Sequence, residues 1–110
     1  MNDSIFTKII KREIPSNIIY EDNVVIAILD AFPQQEGHFL VIPKEQKSNI
    51  LEHDEATFLH AMKVARTLAK QRVIDNNIPG FKILINTGKE AGQVVFHTHI
   101  HVIPYKEQGD

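Results

Sequence analysis

The chain contains no cysteine, which excludes disulfides, a Cys-ligated zinc finger and a cysteine nucleophile, and fits a reducing compartment. It also lacks an excess of basic charge: 12 Lys and Arg stand against 14 Asp and Glu, a net charge of −2. No positive field draws such a chain onto nucleic acid or anionic lipid, so neither partner is expected. A small ligand is. Long apolar runs are absent too, and no stretch approaches the ~20 residues that span a membrane. The opening "MNDSIFTKIIKRE" lacks the apolar stretch of about 7–15 residues that marks a signal peptide. The chain therefore reads as cytoplasmic. Repeats, low-complexity tracts and long linkers are missing as well, and the length of 110 residues suits one hydrophobic core, hence one domain over 1–110. Finally, the common phosphate and acyl-transfer signatures GxxxxGK[ST], GxGxxG and GxSxG do not occur.

What is present divides at the prolines. From Asp3 or Ser4 to about Lys11, Ile5, Phe6, Ile9 and Ile10 fall at helical spacing behind an N-cap, and "EIPSN" ends the segment. "IIYEDNVVIAILD" gives two β-branched runs around Glu21-Asp22-Asn23, a hairpin pattern. "HFLVIP" (38–43) predicts a third strand closed by Pro43. Asp54 is a second N-cap, and Phe58, Ala61, Met62, Ala65, Leu68 and Ala69 trace an apolar stripe to about Ile74. "FKILINTG" (81–88) predicts a fourth strand and "VVFHTHIHVIP" (94–104) a fifth. Strand runs set apart from helices predict an α+β fold with an antiparallel sheet. One small sheet with one long helix leaves an edge and apolar surface that a homodimer would cover.

Within the fifth strand, His97, His99 and His101 occupy alternate positions and would share one face, with Thr98, Ile100 and Val102 on the other. Three uses fit such a row. As packing, each ring would need its own buried partner. As metal ligands they match a known zinc set, but one straight strand splays its rings along a line and no carboxylate adjoins them. As phosphoryl-transfer groups, imidazoles of pKa about 6.5 serve as nucleophile, acid or base. The preceding "NTGKEAGQ" supplies two glycines that let backbone N–H groups approach an anion. Spacing alone leaves open which imidazole attacks.

Four stretches in order, "SIFTKIIKREIPSNIIYEDN", "AILDAFPQQEGHFLVIPK", "INTGKEAGQ" and "HTHIHVI", resemble the Hint branch of the histidine triad (HIT) superfamily over nearly the whole chain. The resemblance implies an α+β domain with a five-stranded antiparallel sheet, one short N-terminal helix and one long helix, pairing into a dimer. It implies a hydrolase that binds the AMP or GMP part of a purine nucleotide conjugate, such as a phosphoramidate, and cleaves at the α-phosphate without a cofactor. His99 would attack phosphorus and form a nucleotidyl-histidine, His97 would orient it, His101 would contact phosphate or ribose-side oxygens, and His38 would support them. Asp30 would accept the ribose hydroxyls, while Ile5, Phe6, Ile9, Ile28, Leu29 and Ala31 would surround the base. Asn86 would contact phosphate, and the backbone N–H groups of Gly92, Gln93 and Val94 would hold it. Two related readings are a dinucleoside polyphosphate hydrolase and a nucleotide-binding scaffold with weak catalysis.

Two positions depart from the family pattern. Val94 stands where these proteins commonly carry a serine that assists the leaving amine, so leaving-group protonation would fall to His97 or to water. Ser4, Thr7 and Gln46 stand where many bacterial relatives carry two cysteines and a histidine on a structural zinc. Oxygen ligands of that kind suit zinc poorly, so no structural metal is expected.

Overall fold

The computed structural model describes residues 2–107. Ser4 holds extended backbone and its hydroxyl accepts the Thr7 N–H, which starts helix α1 (Ile5–Ile10). Phe6 and Ile9 are its buried residues, and the left-handed Arg12 ends it. Strands β1 (Ile18–Glu21) and β2 (Val25–Leu29) form the expected hairpin. Its turn is closed by Asp22, whose Oδ1 accepts the Val24 and Val25 N–H groups at 2.7 and 2.8 Å. Strand β3 (Phe39–Pro43) follows. Asp54 then caps helix α2 (Glu55–Arg72) by accepting the Thr57 N–H. Strands β4 (Gly80–Leu84) and β5 (Ile100–Tyr105) complete the fold.

All five strands lie in one antiparallel sheet of order β1-β2-β3-β5-β4. Both faces of its centre are buried, which explains why β2 and β3 read as continuous apolar runs rather than alternating ones. On one face Val25, Ala27, Phe39, Val41, Ile100 and Val102 pack against Ala61, Val64, Ala65, Leu68 and Ala69 of α2. On the other, Ile26, Ile28, Leu40 and Ile42 pack against Phe6 and Ile9 of α1. His101 lies opposite Leu40, and so belongs to the α1 face. No helix among the described residues is long and apolar enough to cross a membrane.

Strand four ends sooner, and strand five starts later, than the sequence predicts. β4 stops at Leu84, not residue 88, and β5 begins at Ile100, not residue 94. For β5 the cause lies in its partner strand β3. Val41 faces Ile100, so continuing the register would set Pro43 beside Thr98, and proline has no N–H to give. The Thr98 N–H instead donates to the Lys47 carbonyl at 3.0 Å. His97 and His99 therefore precede the strand, and of the three histidines only His101 is in it.

Candidate active site

Leaving the ladder frees the three rings to point separately, and their neighbours fix where each proton sits. The His97 ring is fully buried. Its Nε2–H donates to the Pro43 carbonyl at 2.8 Å, so its Nδ1 accepts the Ser4 hydroxyl proton at 2.6 Å. His99 donates its Nδ1–H to the main-chain carbonyl of His97 at 2.8 Å, which leaves the Nε2 lone pair free. Just before β3, His38 Nδ1 accepts the Gln34 N–H at 3.0 Å. Its Nε2–H then donates to His101 Nδ1 at 3.0 Å, with Asp30 Oδ2 3.4 Å away. His101 is left with a proton on Nε2. Thus the group at position 97 that orients His99 is the peptide carbonyl, and the imidazole expected to do so braces the loop instead.

Burial holds all four rings neutral. It is the foremost cause that lowers the pKa of His38, His97 and His99 below the usual histidine value, and for His38 and His99 the charge of Asp30 opposes the shift. His101 is pushed down to about 4, by burial first and then by His99 and His38. Unfolded chains take up these protons near pH ~6.5, while the folded chain takes them up only at lower pH. Between the two the unfolded state binds more protons, so stability falls as pH drops. The denaturant midpoint is expected to decline steadily from pH ~6.5 to ~4.5, above the range where most carboxylates titrate. His101→Asn should flatten that decline; an unaltered slope would contradict the assignment.

A pocket of about 360 Å³ opens on the α1 face. Its walls include Ile5, Phe6, Ile9, Ile28, Leu29, Asp30, Ala31, Val94, His99 and His101, which brings together ten of the residues singled out in the sequence. The His99 ring lies 4.9 Å from the rings of both Phe6 and His101, centroid to centroid. Asp30 uses Oδ1 to accept the Phe32 N–H at 2.8 Å, which steadies its carboxylate at the pocket edge. Ile14, Pro15, Ser16, Phe32, Leu40 and Val95 complete the lining. Leu40 reads in the sequence only as part of the third strand, and its place opposite Ile28 is what brings it here, whereas Ile14 and Pro15 read only as the end of α1.

Asn86, Gly92 and Gln93 do not line this pocket but build the turn that leads to Val94, and the N–H groups of Gly92 and Gln93, expected to hold phosphate, donate instead to the Lys89 and Gly88 carbonyls, both at 3.0 Å. Gly92 has φ +95°, a left-handed conformation that favours glycine. The Asn86 amide donates to the Gly92 carbonyl at 3.4 Å. Gln93, nearly fully buried, spans the turn: its Oε1 accepts the Gly88 N–H at 2.8 Å, and its Nε2 donates to the Ser48 and Val95 carbonyls at 2.6 and 3.0 Å. Its side chain is a strut that no spacing rule reveals. His53 is a second such brace, its Nε2 2.9 Å from the Thr98 hydroxyl between two of the three histidines.

Two clusters bear on metals. Asp30, His38 and His101 place donor atoms within 4.8 Å of one another. The Gln34 N–H, however, commits His38 to a proton on Nε2, and a cation there would have to displace the proton shared with His101. Ser4, Thr7 and Gln46 do gather around His97, as the resemblance implies. Thr7 Oγ1 donates to Gln46 Oε1 at 2.6 Å, and Gln46 Oε1 also accepts the Ser4 N–H at 2.9 Å. Two hydroxyls and an amide oxygen, already bonded to one another and to the ring, do not fit zinc. The cluster is a hydrogen-bonded joint between α1 and the His97 loop.

This sheet, the two helices and the four linked imidazoles define a histidine-triad site. The chain belongs to the HIT domain family, whose model matches residues 11–108. It is 44% identical over 103 residues to an uncharacterised 13.1 kDa HIT-like protein of Mesomycoplasma hyorhinis, covering 94% of this chain and 93% of that protein. It is 41% identical to the Adenylylsulfatase HINT3 of Arabidopsis thaliana over 97% of this chain and 54% of the plant protein. The crystal structure of a histidine triad nucleotide-binding protein from Candida albicans superposes with a TM-score of 0.88 at 36% identity, covering 96% of this chain and 76% of that one.

Proposed function

We propose that this protein is a cytoplasmic nucleotide hydrolase that cleaves at the α-phosphate of purine nucleoside 5'-phosphoramidates or related nucleotide conjugates, releasing AMP or GMP through a nucleotidyl-His99 intermediate. The observation that carries this reading is the free Nε2 lone pair of His99, with its Nδ1–H tied to the His97 carbonyl, beside a pocket of ligand size. In this reading the base enters among Ile5, Phe6, Ile9, Ile28 and Leu40, an apolar slot under α1. Asp30 takes the ribose hydroxyls, since a carboxylate accepts two O–H bonds. His101 Nε2–H and the Val94 N–H receive the phosphate oxygens, where fixed donors stabilise developing charge. His99 attacks phosphorus, the leaving group departs, and water hydrolyses the nucleotidyl-histidine. The histidine-triad nucleotide-binding protein and the adenylylsulfatase among its relatives support nucleotide chemistry of this kind.

The active form is a homodimer in this reading. Edge strand β4 exposes more than a third of Phe81, Ile83 and Leu84, and Leu59 of α2 is likewise exposed. Ile83 lines one groove with Leu59 and Met62, an apolar surface that a second copy would cover.

The test is incubation with adenosine 5'-phosphoramidate and, separately, a diadenosine polyphosphate, with AMP release followed by chromatography and acid-quenched protein examined by mass spectrometry. Faster release from the phosphoramidate and an adenylyl adduct on the His99 peptide are expected. Preference for the polyphosphate would assign the protein to that hydrolase class. Tight AMP binding with no release from either would make it a nucleotide-binding scaffold.

A further inference from the structure

On the α2 face of the sheet, away from the His99 pocket, donors converge on one carboxylate. Asp22 Oδ1 accepts the Val24 and Val25 N–H groups, while its Oδ2 accepts the Tyr20 hydroxyl at 2.8 Å and the His60 Nε2–H at 2.7 Å. Burial opposes ionisation of this carboxyl, but the bonds from Val25, His60, Val24 and Tyr20 outweigh it and hold its pKa well below the usual carboxylate range. Asp22 is therefore an anion at any ordinary pH, with both oxygens occupied. The two side chains that serve it have committed their protons to it. Tyr20 Oη keeps its lone pairs, and the neutral His60 ring keeps one at Nδ1.

Tyr20 and His60 both line a pocket of about 260 Å³ between β1 and α2. His60, Lys63, Val64 and Leu68 fall at i, i+3, i+4 and i+8 of the helix, so they share one face. Val64 and Leu68, both nearly fully buried, give the pocket an apolar floor. Lys63 stands one turn from His60 and meets no carboxylate among the described residues. One end of the pocket thus offers acceptors backed by a fixed anion, the other offers a cation, and aliphatic surface lies beneath.

We propose that this pocket binds an aliphatic α-amino acid, with its ammonium on Tyr20 Oη and His60 Nδ1, its carboxylate on Lys63, and its side chain over Val64 and Leu68. An ammonium brings three donors and no acceptor to a place that presents lone pairs, whereas a carboxylate there would be left unpaired. The volume lies below the ~300–1,000 Å³ of pockets for drug-sized ligands, which suits a smaller molecule. The site is separate from the nucleotide pocket, which opens on the α1 face. It lies toward β1, while the groove that a second copy would cover lies toward β4, and these strands are opposite edges of the sheet. Lys63 borders both, and its flexible four-carbon stem lets the ammonium group turn to the pocket.

The experiment follows the amide resonances of the whole chain by NMR while L-leucine, leucinamide or 4-methylpentanoate is added. L-Leucine should shift Tyr20 and residues 60–68 saturably, with a Kd of about 1 mM or tighter. Leucinamide lacks the carboxylate and 4-methylpentanoate lacks the ammonium, so each should bind at least ~10-fold more weakly, the scale of one lost hydrogen bond to a charged group. Lys63→Met should weaken L-leucine at least ~10-fold and leave leucinamide unchanged. Tyr20→Phe should weaken L-leucine and leucinamide and leave 4-methylpentanoate unchanged. Both variants keep the N–H bonds to Asp22 that close the hairpin, so both are expected to fold. No saturable shift from L-leucine at about ten times that concentration, equal affinity for all three compounds, or shifts centred on Phe6 and His99 would overturn the proposal. AMP release has no part in this readout, so the nucleotide reading stands or falls separately.

Discussion

Replacing His99 with alanine is expected to lower AMP release at least ~10³-fold, the scale seen when a covalent nucleophile is removed. The substitution removes the Nε2 lone pair and leaves the rest of the site in place. The His97 ring keeps its bonds to Pro43 and Ser4, and the His38–His101 pair keeps its shared proton. The His99 ring makes side-chain contacts with Phe6 and His101, so a drop in melting temperature of no more than a few degrees is expected. Single-turnover measurement with enzyme in excess checks the chemistry directly, together with disappearance of the adenylyl adduct. Retention of activity within tenfold of the native protein would sink the covalent route, whatever the state of the fold.

The second large effect concerns Gln93, whose side chain touches no ligand in this account. Gln93→Leu keeps the volume but removes three hydrogen bonds, to the Gly88 N–H and to the Ser48 and Val95 carbonyls. Each buried backbone group left without a partner costs about 1–3 kcal/mol, so a loss of about 3–5 kcal/mol in unfolding free energy follows. A domain of this size has only about 5–15 kcal/mol to lose. The Gly88–Gly92 turn that leads to Val94 would also shift, and kcat/KM is expected to fall at least ~10-fold even where the variant stays folded. Urea unfolding and AMP release measure the two consequences separately. A loss below about 1 kcal/mol would show that water replaces the amide readily and that Gln93 is no strut.

Much of the scaffold was legible because its signals are local. Ser4 and Asp54 announced the helix starts through their side-chain oxygens, and the α2 stripe gave the face that packs on the sheet. The hairpin was carried by Asp22 between two β-branched runs. What the sequence misplaced depends on the neighbouring strand. "VVFHTHIHVIP" has strand composition throughout, yet β5 starts only at Ile100, because Pro43 lies across the sheet and offers no N–H. That same interruption redirected the three histidines. Alternation suggested one row of equivalent rings, whereas each ring ended in a different role according to which carbonyl, hydroxyl or amide met it. Ser4 and Gln46 were recognised by resemblance, but that Ser4 would hold His97 Nδ1 is a fact of approach across 93 residues of sequence. Gln93 and His53 act in the same way, through long-range hydrogen bonds for which composition and periodicity carry no signal.

The bond from His99 to the His97 carbonyl has a consequence for how this site can change over generations. An orienting side chain can be lost by one codon change, and with it the tautomer of the nucleophile. A peptide carbonyl survives every substitution at its own position. Position 97 can therefore drift, at a cost to the loop that its ring braces, while the inherited instruction that leaves His99 Nε2 without a proton passes on intact. The vulnerable heritable part is the Ser4 hydroxyl at the cap of the first helix, since Pro43 and Lys47 hold the loop through peptide carbonyls that outlast substitution in the same way.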